Sequence, residues 1–155
     1  MASVVVDLSA YRERLVSEAS ATRPVQEHSM LKSVQQEMRA QLATLRNVSD
    51  NWDGLGSLPP TQEALAGASY FIDLWEGSVQ VTTEVGLLSD GSISFEFYDA
   101  EDDLLGALDL LGEDEATFAL TIDGAGEEFG EISLSESSHM GIFFNALKKA
   151  KASRE

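Results

Sequence analysis

From residue 79 onward the chain alternates. In SISFEFYD (92–99), Ile93, Phe95 and Phe97 stand against Ser94, Glu96 and Tyr98, the two-residue period of a strand with one face buried. VQVTTEVGLL (79–88) reads as the preceding strand, and Asp90-Gly91 between them as a hairpin turn. LLGALDLL (104–111) and ATFALTID (116–123) continue the pattern. GAGEEFGEISLS (124–135) is a glycine-rich turn leading into a last strand. The connections AEDD and GEDE are short and acidic. Four to five strands joined in this way predict an antiparallel meander.

Before residue 79 the period is helical. Leu8, Tyr11, Leu15 and Ala19 predict a first helix over 7–20, capped by Asp7 or Ser9 and ended by Pro24. Leu31, Val34, Met38, Leu42 and Leu45 form one apolar stripe on a second helix, about 24–47. The two helices either pair as a hairpin or present the stripe to another subunit, which makes these five residues the candidate self-association surface. A third helix is expected over about 61–75, capped by Thr61, with Leu65, Ala68, Phe71, Ile72 and Trp75 on its buried face. A last helix over 137–152 carries Met140, Phe143, Phe144 and Leu147 inward, with Ser135 or Ser137 as its cap and lysines at its C-terminal end.

The pattern is α+β: an N-terminal helical hairpin or arm, a third helix, the meander, and a C-terminal helix packed on one sheet face. A boundary near residues 48–60 would separate a helical arm (1–48) from a compact domain (49–155). A length of 155 residues equally suits a single domain.

Charge changes the picture most. The net charge is −17. No Lys or Arg lies between Arg46 and Lys148, a stretch that holds 21 Asp and Glu. Such a surface repels nucleic acid and attracts basic proteins. The absence of cysteine rules out disulfides and thiol chemistry. No apolar run has membrane-spanning length, and MASVVVDLSAYRER lacks the basic start and cleavage pattern of a signal peptide. The expectation is a cytoplasmic protein that does not engage membranes.

The stretch NWDGLGSLPP (51–60) has a superficial calcium-loop spacing. With Gly54 in the sixth position, however, Pro60 falls where a bidentate Glu is required. It reads better as a corner: Trp52 pins it, Asp53-Gly54 turns it and Pro59-Pro60 lead into the next helix. Asn51, Trp52, Asp53, Gly54 and Gly56 form the motif. N-W-D-G-x-G, a proline, the helix EALAGASYFI and the strand DGSISFEF together resemble a set of small, uncharacterised bacterial and phage proteins, over about residues 50–123. Leu55 stands where those have Tyr, and Phe97 where a Trp often ends the strand. The resemblance implies no settled activity.

No nucleophile elbow, phosphate loop or dinucleotide fingerprint is present. His28 and His139 are too sparse for a metal site. Neither cofactor nor metal is expected. Acidic turns remain as the candidate partner-binding surface: Asp99, Glu101, Asp102 and Asp103 in one, Glu113, Asp114 and Glu115 in another. Strict antiparallel order puts the turns at 99–103 and 123–128 on one sheet end and those at 89–91 and 112–115 on the other, with no basic counterweight between the two ends. The expected function is a non-enzymatic binding module for a basic protein. It would neutralise a nucleic-acid-binding partner or compete for its groove, in the manner of inhibitors, antitoxins, immunity proteins or phage anti-defence (anti-CRISPR-like) proteins. The alternatives are a structural homo-oligomer, such as a homodimer through the N-terminal helices, and a small metal-dependent carboxylate hydrolase.

Overall fold

The computed structural model describes residues 27–77 and 79–155. The helix expected over 7–20 lies outside them. Three helices and five strands follow in the order α1 (Glu27–Leu45), α2 (Gln62–Asp73), β1 (Thr82–Leu87), β2 (Ile93–Tyr98), β3 (Leu104–Leu110), β4 (Glu115–Ile122), β5 (Gly126–Ser133) and α3 (Ser137–Ala152). The strands form one antiparallel sheet in sequence order, β1-β2-β3-β4-β5. The fold is α+β, and α3 packs against β4 and β5.

Alternation decides which sheet face is buried. Thr83, Val85 and Leu87, then Ile93, Phe95 and Phe97, then Leu108 and Leu110, then Ala116, Phe118 and Leu120 all point to the helical side. Phe143 of α3 is the hub there. Its ring lies 5.7 Å from Phe71 of α2, 5.6 Å from Phe97 and 5.4 Å from Phe118. The pairs with Phe71 and Phe118 are edge-to-face, a geometry that adds about 1 kcal/mol per pair to the burial of area. Phe71 also meets Phe95 edge-on at 4.8 Å. Gly67 allows α2 to sit this close: a Cβ there would stand 2.2 Å from the Gly112 carbonyl in the β3–β4 turn.

Val34, Met38, Leu42 and Leu45 of α1 are buried in the same core. This corrects the self-association expectation for these four residues. The stripe packs within its own chain, against β1 and α2, and offers no free face to a second copy. The side chain of Leu31 lies outside the described set. The loop at 48–60 therefore joins two elements that share one core.

Gln41 of α1 is completely buried. Its Nε2 donates to the Thr83 carbonyl at 3.1 Å, and its Oε1 accepts from Val85 N–H at 2.8 Å. One side chain thus closes the outer edge of β1 as a neighbouring strand would. Gln35 donates to the Ile72 carbonyl at the end of α2, and Arg39 pairs with Asp73.

Thr61 caps α2, accepting from Ala64 N–H at 3.0 Å. At α3 the expectation fails: the cap position is Glu136, and its side chain makes no capping bond. Ser135 is held elsewhere, by Asp114.

The 51–60 loop is a closed corner. Asp53 accepts from the amides of Leu55 and Ser57 and from the Ser57 hydroxyl. Asn51 Oδ1 accepts from Gly56 N–H at 2.6 Å, and Trp52 Nε1 donates to the Leu58 carbonyl at 2.9 Å. These bonds consume the oxygens a cation would need, and they hold the Asp53 carboxyl below its usual pKa, the Ser57 hydroxyl most of all. The corner docks on the β1–β2 turn: Leu58 N–H donates to Ser89 O, and Thr61 N–H to Gly91 O. Gly91 must be glycine, with φ +87° and the Pro59 carbonyl 2.5 Å from where a Cβ would stand.

Candidate functional site

The meander puts the β2–β3 and β4–β5 turns at one sheet end and the β1–β2 and β3–β4 turns at the other. The acidic turns are thus distributed as the alternation implies, but not all their carboxylates face solvent.

Asp99 is only 7% exposed. Its Oδ1 accepts from the amides of Glu101 and Asp103, both at 2.9 Å, and so builds the turn. Asp114 accepts from the hydroxyls of Ser133 and Ser135 and, at 2.7 Å, from Ser135 N–H. These bonds, the Ser133 hydroxyl first, hold its carboxyl below the usual aspartate range. Both residues were expected to bind a partner. Asp99 is instead buried in organising its own turn, whereas Asp114, tied to Ser133 and Ser135, keeps part of its surface exposed. Glu101, Asp102, Asp103, Glu113 and Glu115 remain exposed.

The first sheet end also has a counterweight that the sequence did not suggest. Arg154, just past α3, comes within 3.9 Å of both Asp99 and Asp123 and is only 16% exposed. Ser153 Oγ accepts from Asp123 N–H at 3.0 Å and fixes the helix end there. At the β1–β2 and β3–β4 end, no salt bridge among the described residues involves Asp90, Glu113, Asp114 or Glu115.

A larger acidic feature lies on the sheet face that no described helix covers. Glu84 of β1 is the direct cross-strand partner of Glu96 of β2. Asp109 of β3, opposite Ser94, is the diagonal neighbour of Glu96 on the same face. Burial raises the Glu96 pKa, with Glu84 and then Asp109 adding to it and Tyr98 opposing. Tyr98 lies 3.5 Å from Glu84 through its hydroxyl. On the same face, towards β5, stand Thr117, Ala119, Glu127, Phe129 and Glu131. Phe129 is 74% exposed.

In the sequence these carboxylates are single residues in separate strands, with no motif to group them. Alternation puts Glu96 on the polar face, and only the register brings Glu84 and Asp109 beside it. Among the described residues, no three His, Cys, Asp or Glu side chains converge on a metal-sized site. A cleft of about 310 Å³ between the end of α2 and the start of α3 is lined by Tyr70, Leu74, Met140 and Phe144, with Glu76 as its one carboxylate. Glu76 is paired with Lys148 at 2.6 Å. The cleft therefore offers no two-carboxylate arrangement for hydrolysis.

No helix among the described residues is long and apolar enough to cross a membrane. No family model, curated protein or solved structure matches the chain.

Proposed function

We propose that the protein is an acidic binding module for a basic protein partner, acting by neutralising that partner or by competing with nucleic acid for its groove. The observation that supports this most is the Glu84–Glu96 pair with Asp109 beside it. Like charges directly opposed across strands are destabilising. Glu84, Glu96 and Asp109 together concentrate negative charge on a sheet face that no described helix covers, a field that a ligand must complement. Lys and Arg side chains fit this requirement, and phosphates do not. The exposed acids of the end turns, Glu101 to Asp103 and Glu113 with Glu115, extend the same field and would steer a basic partner to the face. Such a module would serve as an inhibitor, antitoxin, immunity protein or phage anti-defence protein of the anti-CRISPR type.

The test compares the wild type with Glu84→Gln/Glu96→Gln/Asp109→Asn as bait in the native host. The proposal expects basic proteins on the wild type and their loss on the neutralised face. Recovery of the same proteins on both baits, or of proteins that are not basic, contradicts it.

A further inference from the structure

The sheet has two edges, and they are treated differently. The β1 edge is closed by Gln41, which takes the Thr83 carbonyl and the Val85 amide. Among the described residues, the β5 edge has no such cover.

The phase of the β4–β5 ladder shows which groups are free. Leu134 N–H donates to the Asp114 carbonyl at 2.7 Å. Stepping by two from that bonded pair, Ala116↔Ile132, Phe118↔Gly130 and Leu120↔Glu128 exchange ladder bonds. Thr117↔Glu131, Ala119↔Phe129 and Thr121↔Glu127 are then the non-bonded pairs. The N–H and C=O of Glu127, Phe129 and Glu131 therefore point outward. Ser133, next in this phase, shows the same direction: its N–H donates away from β4, to His139 Nδ1 at 3.0 Å. Beyond it, no described residue bonds the outward amides and carbonyls of the other three.

The same three residues turn their side chains to the face that no described helix covers, and all three are exposed. They read acid, aromatic, acid along the edge. The pattern disfavours a second copy, since antiparallel pairing of β5 with itself about Phe129 would set Glu127 against Glu131. It favours a strand carrying cation, apolar, cation at alternate positions.

We propose that β5 is a strand-addition site for an extended basic segment of the partner. Three outward backbone pairs would supply binding, and Glu127, Phe129 and Glu131 would read alternate side chains. The inference rests on the acidic-module reading and adds the place and mode of contact.

The probe is a synthetic peptide with lysine, valine and lysine at alternate positions, spaced by threonines. Its control is the same peptide N-methylated on the residues that would face β5, which keeps the charge and removes the donors. Amide exchange and chemical shifts of the full chain are followed by NMR. The parent peptide is expected to slow exchange at Glu127, Phe129 and Glu131, and N-methylation to weaken binding by about tenfold or more. Phe129→Pro removes an outward N–H without touching a β4 bond and is expected to weaken binding by about tenfold or more, whereas Phe129→Thr loses only the ring contact, keeps the N–H and is expected to weaken binding less. Equal binding by both peptides, unchanged exchange at the three residues, or shifts confined to Glu84, Glu96, Asp109 and the end turns would overturn strand addition while leaving an acidic module intact. So would protection of the three amides in the free protein by a β5–β5 dimer, seen as doubled mass in light scattering. Absence of peptide binding also overturns it. The acidic-module reading fails separately, if the bait with the neutralised face keeps its basic partners.

Discussion

Glu84 stands directly opposite Glu96 across the β1–β2 ladder, on the sheet face that no described helix covers. Neither side chain reaches that position through a local motif. The register of two strands with one buried face puts them there, since a slip by one residue would turn Val85 and Phe95 outward.

The pair makes stability depend on pH in a set direction. Glu96 holds its proton to higher pH in the folded chain than in the unfolded one, because of burial, Glu84 and Asp109. Stability should therefore fall as pH rises from the ordinary glutamate value through the raised one. Glu96→Gln should flatten that fall and, at neutral pH, stabilise the protein by roughly 0.5 kcal/mol, a figure kept small for a half-exposed group. Urea midpoints across the pH range check this. A variant less stable than wild type at neutral pH would show that the pair is not repulsive.

Asp114 should behave in the opposite way. Its folded carboxyl titrates below the usual range because Ser133 and Ser135 donate to it. Its contribution is then present above the ordinary aspartate value and lost as pH falls through the depressed one. Asp114→Asn should be less stable than wild type at neutral pH, and the difference should shrink at an acidic pH below the ordinary aspartate value. Parallel urea titrations at the two pH values would reveal it.

Gln41→Leu should be among the most damaging single changes on α1. It leaves the Thr83 carbonyl and Val85 amide unpaired at a buried edge. The expected loss is about 3 kcal/mol, from two unsatisfied groups. Gln41→Glu should also destabilise at neutral pH, since Glu37 lies 3.3 Å from the Gln41 amide nitrogen. That variant should recover partly on acidification, as its carboxyl regains a donor. Thermal melts of both variants at neutral and acidic pH test the assignment.

Arg154→Ala removes the one cation near Asp99 and Asp123 among the described residues. The contacts are long, so the loss should be modest, about 1 kcal/mol, and should shrink as salt is added. A salt-independent loss would mean that packing of the side chain, not its charge, holds the helix end.

The layout was legible wherever periodicity carried it. Phe95 and Phe97, two residues apart, gave the buried face of β2, and the Thr61 cap gave the start of α2. Carboxylates were read less well. A sequence shows that Asp99 and Asp114 are acidic, but not that one organises its own turn and the other reaches across to Ser133 and Ser135. Glu84, Glu96 and Asp109 were hidden for the opposite reason, since each is a single polar residue in its own strand. The stripe on α1 is legible in the sequence, but periodicity does not say which surface a stripe covers. That depended on Gln41, whose amide matches the β1 edge and ties the helix to its own sheet.

The most direct test of the central claim is the affinity of the native partner as a function of salt, measured by titration calorimetry from about 50 mM to about 500 mM NaCl. An acidic module steering onto lysines and arginines predicts that affinity falls by about tenfold or more over that range. It also predicts that the fall is shallower for the variant neutralised at Glu84, Glu96 and Asp109. An affinity that is the same at both ends of the range, or equal slopes for wild type and variant, would contradict it.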